Sequence, residues 1–152
     1  MKLQIETLPQ LLQRRAQATP DRLSQRHKQR GIWREYSFSA VQRHVLELTL
    51  GLHRMGVQRG ATVAIMGENE PQHYWAEFAA HALGCKVVSL YPDLTAEEVR
   101  YLLEDSETVC LFAQDQEQVD KGLEVKDGLG LLRHIVYWDD TGMWSYKDPV
   151  LS

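Results

Sequence analysis

His73, Glu77 and His81 recur at intervals of four, which on a helix lines up two imidazoles and a carboxylate, the donor types that hold zinc. Three such donors do not complete a ligated site. They also lie opposite an apolar stripe of Trp75, Phe78, Ala79 and Ala82, so a solvated helix face accounts for them, and the spacing predicts exposure of all three and no metal centre. A second group is Arg22, Arg26, Lys28, Arg30 and Arg34, interleaved with His27 and Trp33 and interrupted by no acidic residue. Cations with an aromatic among them suit phosphate or lipid head groups. The same charges on one hairpin also keep an exposed strand edge from pairing with other chains. No nucleic-acid-binding motif accompanies them. Cys85 and Cys110 are the only cysteines, form no Cys-x-x-Cys pair, and read as small buried hydrophobes with no redox role.

Catalytic motifs are missing. The turn after Met66 runs Gly67-Glu68-Asn69-Glu70-Pro71, without the G-x-G-x-x-G that brings a backbone close to a pyrophosphate and with carboxylates that would repel one. There is no G-x-x-x-x-G-K-[ST] loop, no G-x-S-x-G elbow, and no Ser/Gly/Thr-rich run with a lysine.

The elements that must position these residues are clearer. Thr62 to Met66 is apolar without alternation, as in a strand covered on both faces, and Val87 to Leu90 returns as a second such strand. Between them, Asn69 with Gln72 reads as a capping box, Pro71 fits the first turn, and Gly84 ends the helix in a left-handed conformation. Upstream, Thr7 with Gln10 caps a helix carrying Leu8, Leu11, Leu12 and Ala16. A hairpin over Leu23–Phe38 follows, with Gly31 near its turn. Ser39 with Gln42 reads as the cap of a helix whose stripe is Val41, Val45, Leu48, Leu52 and Met55, ended by Gly56. Downstream, Thr95 with Glu98 is a capping box and Leu94 with Val99 a hydrophobic staple, with Val99, Leu102 and Leu103 packing inward. Thr108–Ala113 is a third strand, Asp115 to about Asp127 a weaker helix interrupted by Gly122, and His134–Trp138 a fourth strand. The tail from Asp139 contains Trp144 and Tyr146 but no further helix to cover the last strand. The expected class is α/β: a mostly parallel sheet with helices on both faces, preceded by a helix and an antiparallel hairpin. Residues 1–152 form one domain, with no internal boundary.

A chain of 152 residues buries about 70% of its unfolded surface, enough for a core. Its 43% hydrophobic content, arranged in periodic segments, favours a globular α/β class over a disordered or fibrous one, and no apolar run reaches the roughly 20 residues of a spanning helix. Met1–Glu6 lacks a secretory signal's apolar segment, so the expected location is cytoplasmic. Charge is divided unevenly. Residues 1–60 hold eleven Lys and Arg against four Asp and Glu, and residues 61–152 six against seventeen, a split of +7 and −11 behind the net −4. Either the basic third lies against acidic surface within the molecule or it faces an anionic partner.

Gly56 to Met66, Leu83 to Asp93, Tyr91-Pro92-Asp93-Leu94-Thr95-Ala96-Glu97-Glu98-Val99 and Leu102 to Ser106 resemble the amino-terminal part of the AMP-forming acyl-CoA synthetases. Asp115 to Lys121 and His134 to Tyr137 are similar to the bacterial long-chain fatty acyl type, and the resemblance runs from Thr7 to Ser152. It implies, for a complete enzyme, attack of a fatty carboxylate on ATP with loss of pyrophosphate, then capture of the acyl adenylate by coenzyme A, with magnesium assisting. The family's phosphate loop, later acidic motifs and carboxy-terminal lysine have no matching positions here. The expectation is therefore an amino-terminal portion with no catalytic, cofactor-binding or metal residue of its own, inactive and needing no cofactor alone, whose partner is the rest of the synthetase chain. Tyr91 and Pro92 are the candidates to line an acyl or pantetheine passage, since ligands in such sheets gather at the carboxyl ends of strands. Cys85, Lys86 and Ser89 depart from the family's usual residues, and Gly122, Gly128 and Gly130 loosen a region generally richer in bulky ones. Two other readings are an independent module that binds an anionic membrane surface or acidic protein through the 22–34 hairpin, and self-association through a face left uncovered.

Overall fold

A computed structural model describes residues 7–147. The Met1–Glu6 segment and the tail residues 148–152 lie outside the described residues. Helix α1 spans Leu8–Ala18, strands β1 and β2 span Leu23–Gln29 and Ile32–Ser37, and α2 spans Phe38–Arg54. Then β3 (Thr62–Met66), α3 (Pro71–Ala82), β4 (Lys86–Leu90), α4 (Ala96–Asp105), β5 (Thr108–Ala113), α5 (Gln116–Lys126) and β6 (His134–Tyr137) alternate. The four later strands form one parallel sheet in the order β4-β3-β5-β6, while β1 and β2 pair antiparallel in a separate ribbon. This is the α/β architecture the sequence predicts.

Alternation along each strand sorts the core into two layers. Val63, Ile65, Cys110 and Phe112 point to the face covered by α1, α2 and α3, where they meet Leu12, Val45, Leu52, Trp75 and Ala79. Ala64, Met66, Leu111, Ala113 and Ile135 point to the face covered by α4 and α5, where they meet Val99, Leu103, Val119 and Val125. The thiols follow from this placement. Both are buried and unpaired. Burial raises the pKa of Cys85, and burial with a smaller effect of Cys85 pushes Cys110 up to about 12, which suits packing and not reactivity.

The boxes at Thr7 with Gln10 and at Thr95 with Glu98 both form. Two other expected caps do not. Helix α2 is capped by Ser37, whose hydroxyl accepts from the Ala40 amide, because the ribbon returns the chain two residues earlier than the Ser39 box requires. Helix α3 begins at Pro71 with Glu70 at the cap position, and no side chain, Asn69 included, closes that end. Proline at the first position removes one of the donors a cap would otherwise satisfy. The last strand stops at Tyr137, one residue before Trp138.

Gly122 corrects a further expectation. Helix α5 runs through it unbroken, and a β-carbon there would come within 2.9 Å of a Leu111 methyl and 3.1 Å of one from Ile135. The glycine tightens this region by letting α5 approach the sheet. At the ribbon's tip, Arg30 and Gly31 both have positive φ, 50° and 82°, between the paired Gln29 and Ile32. Such a two-residue turn matches the twist of the strands it joins.

Candidate functional site

Connections after neighbouring strands leave toward opposite faces on either side of β3. Strand β3 feeds α3 on one face, whereas β4 and β5 feed α4 and α5 on the other, so a crevice opens at the carboxyl end of β3 beside each neighbour. These two crevices have different fates.

The one between β3 and β5 is plugged. The Gln114 side chain lies across Gly67, where a β-carbon would sit 2.7 Å from Gln114 Cβ and 2.9 Å from Trp138 Cη2. Gln114 Oε1 accepts from the Glu68 amide at 2.6 Å, and Trp138 Nε1 donates to Glu70 Oε2 at 3.0 Å. Gly67 is therefore fixed by close packing.

The crevice between β3 and β4 is open. It holds a cavity of about 430 Å³ between the turn after β3 and the segment Ser89–Pro92. Tyr91 stands 79% exposed at its rim and Pro92 is half-buried, with the Pro92 carbonyl held by the Lys121 ammonium from α5. Both candidates thus line one cavity, at the strand end where the sequence puts them.

His73 shares the wall, and here the expectation of a solvated stripe fails. It is only 7% exposed, because this side of α3 packs down on β4 and the turn after β3, so that the buried arc extends beyond the Trp75 stripe. Nε2 lies 3.3 Å from the Ser89 hydroxyl, and Nδ1 has no well-aligned hydrogen-bond partner. Burial lowers the pKa of His73 below the usual imidazole value, with Glu77 and then the Gly67 backbone partly opposing. The ring is best read as neutral, a donor or acceptor toward the cavity. Glu77 and His81 are half-buried on the same helix, Glu77 beside this cavity and His81 beside a different groove against α1 and α2, so the three residues do not converge. Among the described residues no group of three His, Cys, Asp or Glu side chains could hold a metal ion. Sequence spacing marked His73 but not its burial or its contact with Ser89; the missing signal was how α3 lies over β4 and the turn after β3.

The donors do not fit a nucleotide triphosphate. Glu68 and Glu77 line the cavity and no lysine or arginine does, so phosphates would meet repulsion without a counter-charge. What the walls offer is hydrogen bonding from Ser89 and His73 and the aromatic surface of Tyr74 and Tyr91, suited to an uncharged, partly apolar group.

A family model of AMP-binding enzymes matches residues 12–148. Long-chain-fatty-acid–CoA ligases of Mycobacterium bovis and Mycobacterium tuberculosis are 30% identical over 106 residues, covering 70% of this chain and 18% of each ligase. A 2-succinylbenzoate–CoA ligase of Bacillus cytotoxicus is 30% identical over 129 residues, 82% of this chain and 26% of its own length. The chain thus spans about a fifth to a quarter of these relatives. In shape it is similar to the acetoacetyl-CoA synthetase of Streptomyces lividans, with a TM-score of 0.82 at 22% identity over 94% of this chain and 23% of that one. The Mycobacterium tuberculosis fatty acyl CoA synthetase gives 0.77 at 17% identity over 89% and 27%.

Proposed function

We propose, because this chain belongs to the AMP-binding enzyme family, among the adenylate-forming acyl-CoA ligases, that it forms the amino-terminal subdomain of an ATP-dependent fatty-acid–CoA ligase. The whole ligase would couple a fatty carboxylate to AMP with loss of pyrophosphate, then pass the acyl group to the coenzyme A thiol. ATP, magnesium and coenzyme A belong to that whole, and no step of their chemistry falls to residues described here. Fatty acid is favoured over other carboxylates by the long-chain ligases among the relatives, although 2-succinylbenzoate ligases stand beside them.

The observation that carries the reading is the open β3–β4 crevice. It lies where parallel sheets receive ligands, its aromatic and hydrogen-bonding walls suit an uncharged chain, and it has no positive charge to set against phosphates. Tyr91 and Pro92 line part of the acyl or pantetheine passage, and the phosphate-handling groups come from elsewhere in the ligase. The 152 residues alone are inactive.

Purified chain with ATP, magnesium, coenzyme A and palmitate is expected to release no pyrophosphate above a fatty-acid-free control. Release that depends on fatty acid would overturn the division of labour. In the ligase read from the coding sequence past Ser152, Tyr91→Ala is expected to raise KM for fatty acid or coenzyme A about tenfold, the equivalent of about 1.4 kcal/mol of lost contact. Unchanged KM for both would remove Tyr91 and Pro92 from the passage.

A further inference from the structure

The ribbon of β1 and β2 has two unlike faces. Register places Arg26 opposite Glu35 and Lys28 opposite Trp33 on one face, and Gln25 opposite Tyr36, His27 opposite Arg34 and Gln29 opposite Ile32 on the other. The second face is anchored at its base. Trp75 Nε1 donates to Gln25 Oε1 at 2.7 Å, Tyr36 meets the Trp75 ring edge-on at 5.1 Å, and His27 lies 3.7 Å from Glu70. The first face meets nothing in the described residues. All four of its side chains are exposed, and Trp33 lies between two cations, 5.4 Å from Arg26 Cζ and 5.9 Å from Lys28 Nζ.

Apolar surface and charge gather toward the tip. Trp33 is 56% and Ile32 59% exposed, next to the Arg30-Gly31 turn and Arg34. The acids nearby do not neutralise this group. Glu35 pairs with Arg26 at 3.0 Å at the far end of the face, and Glu70 is engaged by His27 and by the Trp138 indole. Asp139 is held below the usual carboxylate range by Thr141 hydrogen bonds and only slightly by Arg30. Lys28 on the outer face and Arg30 at the turn remain in excess.

We infer that the outer face and tip of this ribbon form a docking surface for an anionic lipid bilayer, with Trp33 from the outer face and Ile32 from the tip entering the head-group layer and Lys28 and Arg30 meeting lipid phosphates. Charge complementarity selects an anionic partner, and an indole flanked by cations beside an exposed isoleucine favours a bilayer over an acidic protein. Indoles settle at the interface between water and hydrocarbon, and basic side chains keep their charge among the head groups. Neither one alone anchors firmly, so both signals are needed. The surface stands apart from the β3–β4 crevice, and its test does not depend on ligase activity.

The purified chain is mixed with sedimentable vesicles of phosphatidylcholine containing phosphatidylglycerol, or of phosphatidylcholine alone. Binding is expected on the anionic vesicles only, weakening as salt shortens the screening length. Because each basic residue near such a surface contributes about a fivefold factor, the charge-reversing pair Lys28→Glu and Arg30→Glu should weaken binding about a hundredfold or more. Trp33→Ser should weaken it about tenfold through lost apolar burial. Trp33→Phe should keep most of the binding while losing the blue shift of tryptophan emission seen with the unaltered chain, which reads insertion without a disruptive variant. No binding at low salt overturns the inference. So does binding that Trp33→Ser leaves intact and that polyglutamate matches, since a surface reading charge alone fits an acidic protein equally well.

Discussion

The two faces of the parallel sheet are filled by different means. On the α4–α5 face, Ala64, Ala113 and Gly122 are small, the helices come close, and Leu111 and Ile135 are fully buried between them. Met143 and Tyr146 of the tail complete this layer, the Tyr146 hydroxyl donating to Asp120. On the other face the filling is aromatic. His44 stacks on Trp75 at 4.1 Å, and a groove of about 320 Å³ remains between them and β6, lined by Leu48, Phe112, Val136 and Trp138. A face closed by small residues has no slack, whereas one closed by rings beside a groove can absorb change. The groove adjoins β6, an edge strand with no described neighbour on its outer side.

Equivalent truncations on the two faces test this difference. Leu103 on α4 is almost wholly buried, and Leu103→Ala should cost about 3 to 4 kcal/mol through lost burial and a cavity its neighbours cannot fill. Leu48 on α2 borders the groove and is half-buried, so Leu48→Ala should cost about 1 to 2 kcal/mol. Urea denaturation with unchanged m-values measures both. Equal costs would mean that the faces are packed alike.

Gly122 sharpens the comparison from the opposite direction, by adding volume. Gly122→Leu should destabilise by about 2 to 3 kcal/mol, since its side chain must displace buried methyls of Leu111 and Ile135. Gly122→Ala asks less. One methyl presses on the flexible ends of those chains while the helix gains about 1 kcal/mol of propensity, so the net change should lie within about 1 kcal/mol of zero. A well-tolerated leucine in thermal unfolding would show that α5 has room to move.

The same contrast explains what could be read in advance. Local chemistry was legible in part: the boxes at Thr7 and Thr95 formed from residues three apart, and β3 and β5 announced themselves by unbroken apolar runs, whereas Val87 to Leu90, expected to be covered on both faces, lies in an edge strand with only Leu90 buried. The failures occurred where several elements meet. The start of α2 is set by where the ribbon returns the chain, so Ser37 displaced Ser39 as the cap. The role of Gly122 is set by side chains on β5 and β6, distant in sequence. Tyr91 and Pro92 were placed by a rule about strand ends, which the fold satisfies, but which crevice stays open was decided by Gln114 and Trp138 filling the other. His73 escaped because periodicity locates the middle of a buried arc and says nothing about its width.

His73 also supplies the smallest expected effect, on the less tightly closed face and at the candidate cavity. Its folded-state pKa is depressed, chiefly by burial, so below the unfolded imidazole value the unfolded chain binds more protons than the folded one. His73 therefore leaves stability undiminished above that value, and stability falls as pH drops through the window down to the lower folded value. A neutral replacement that keeps a polar atom near Ser89, His73→Gln, should flatten this part of the stability profile while leaving stability at pH 8 nearly unchanged. Proton NMR of the folded chain should show the His73 ring titrating at lower pH than an unfolded-state histidine. A ring that titrates normally, or a slope that survives His73→Gln, would mean that water reaches the imidazole and that the wall of the β3–β4 crevice is looser than its burial indicates.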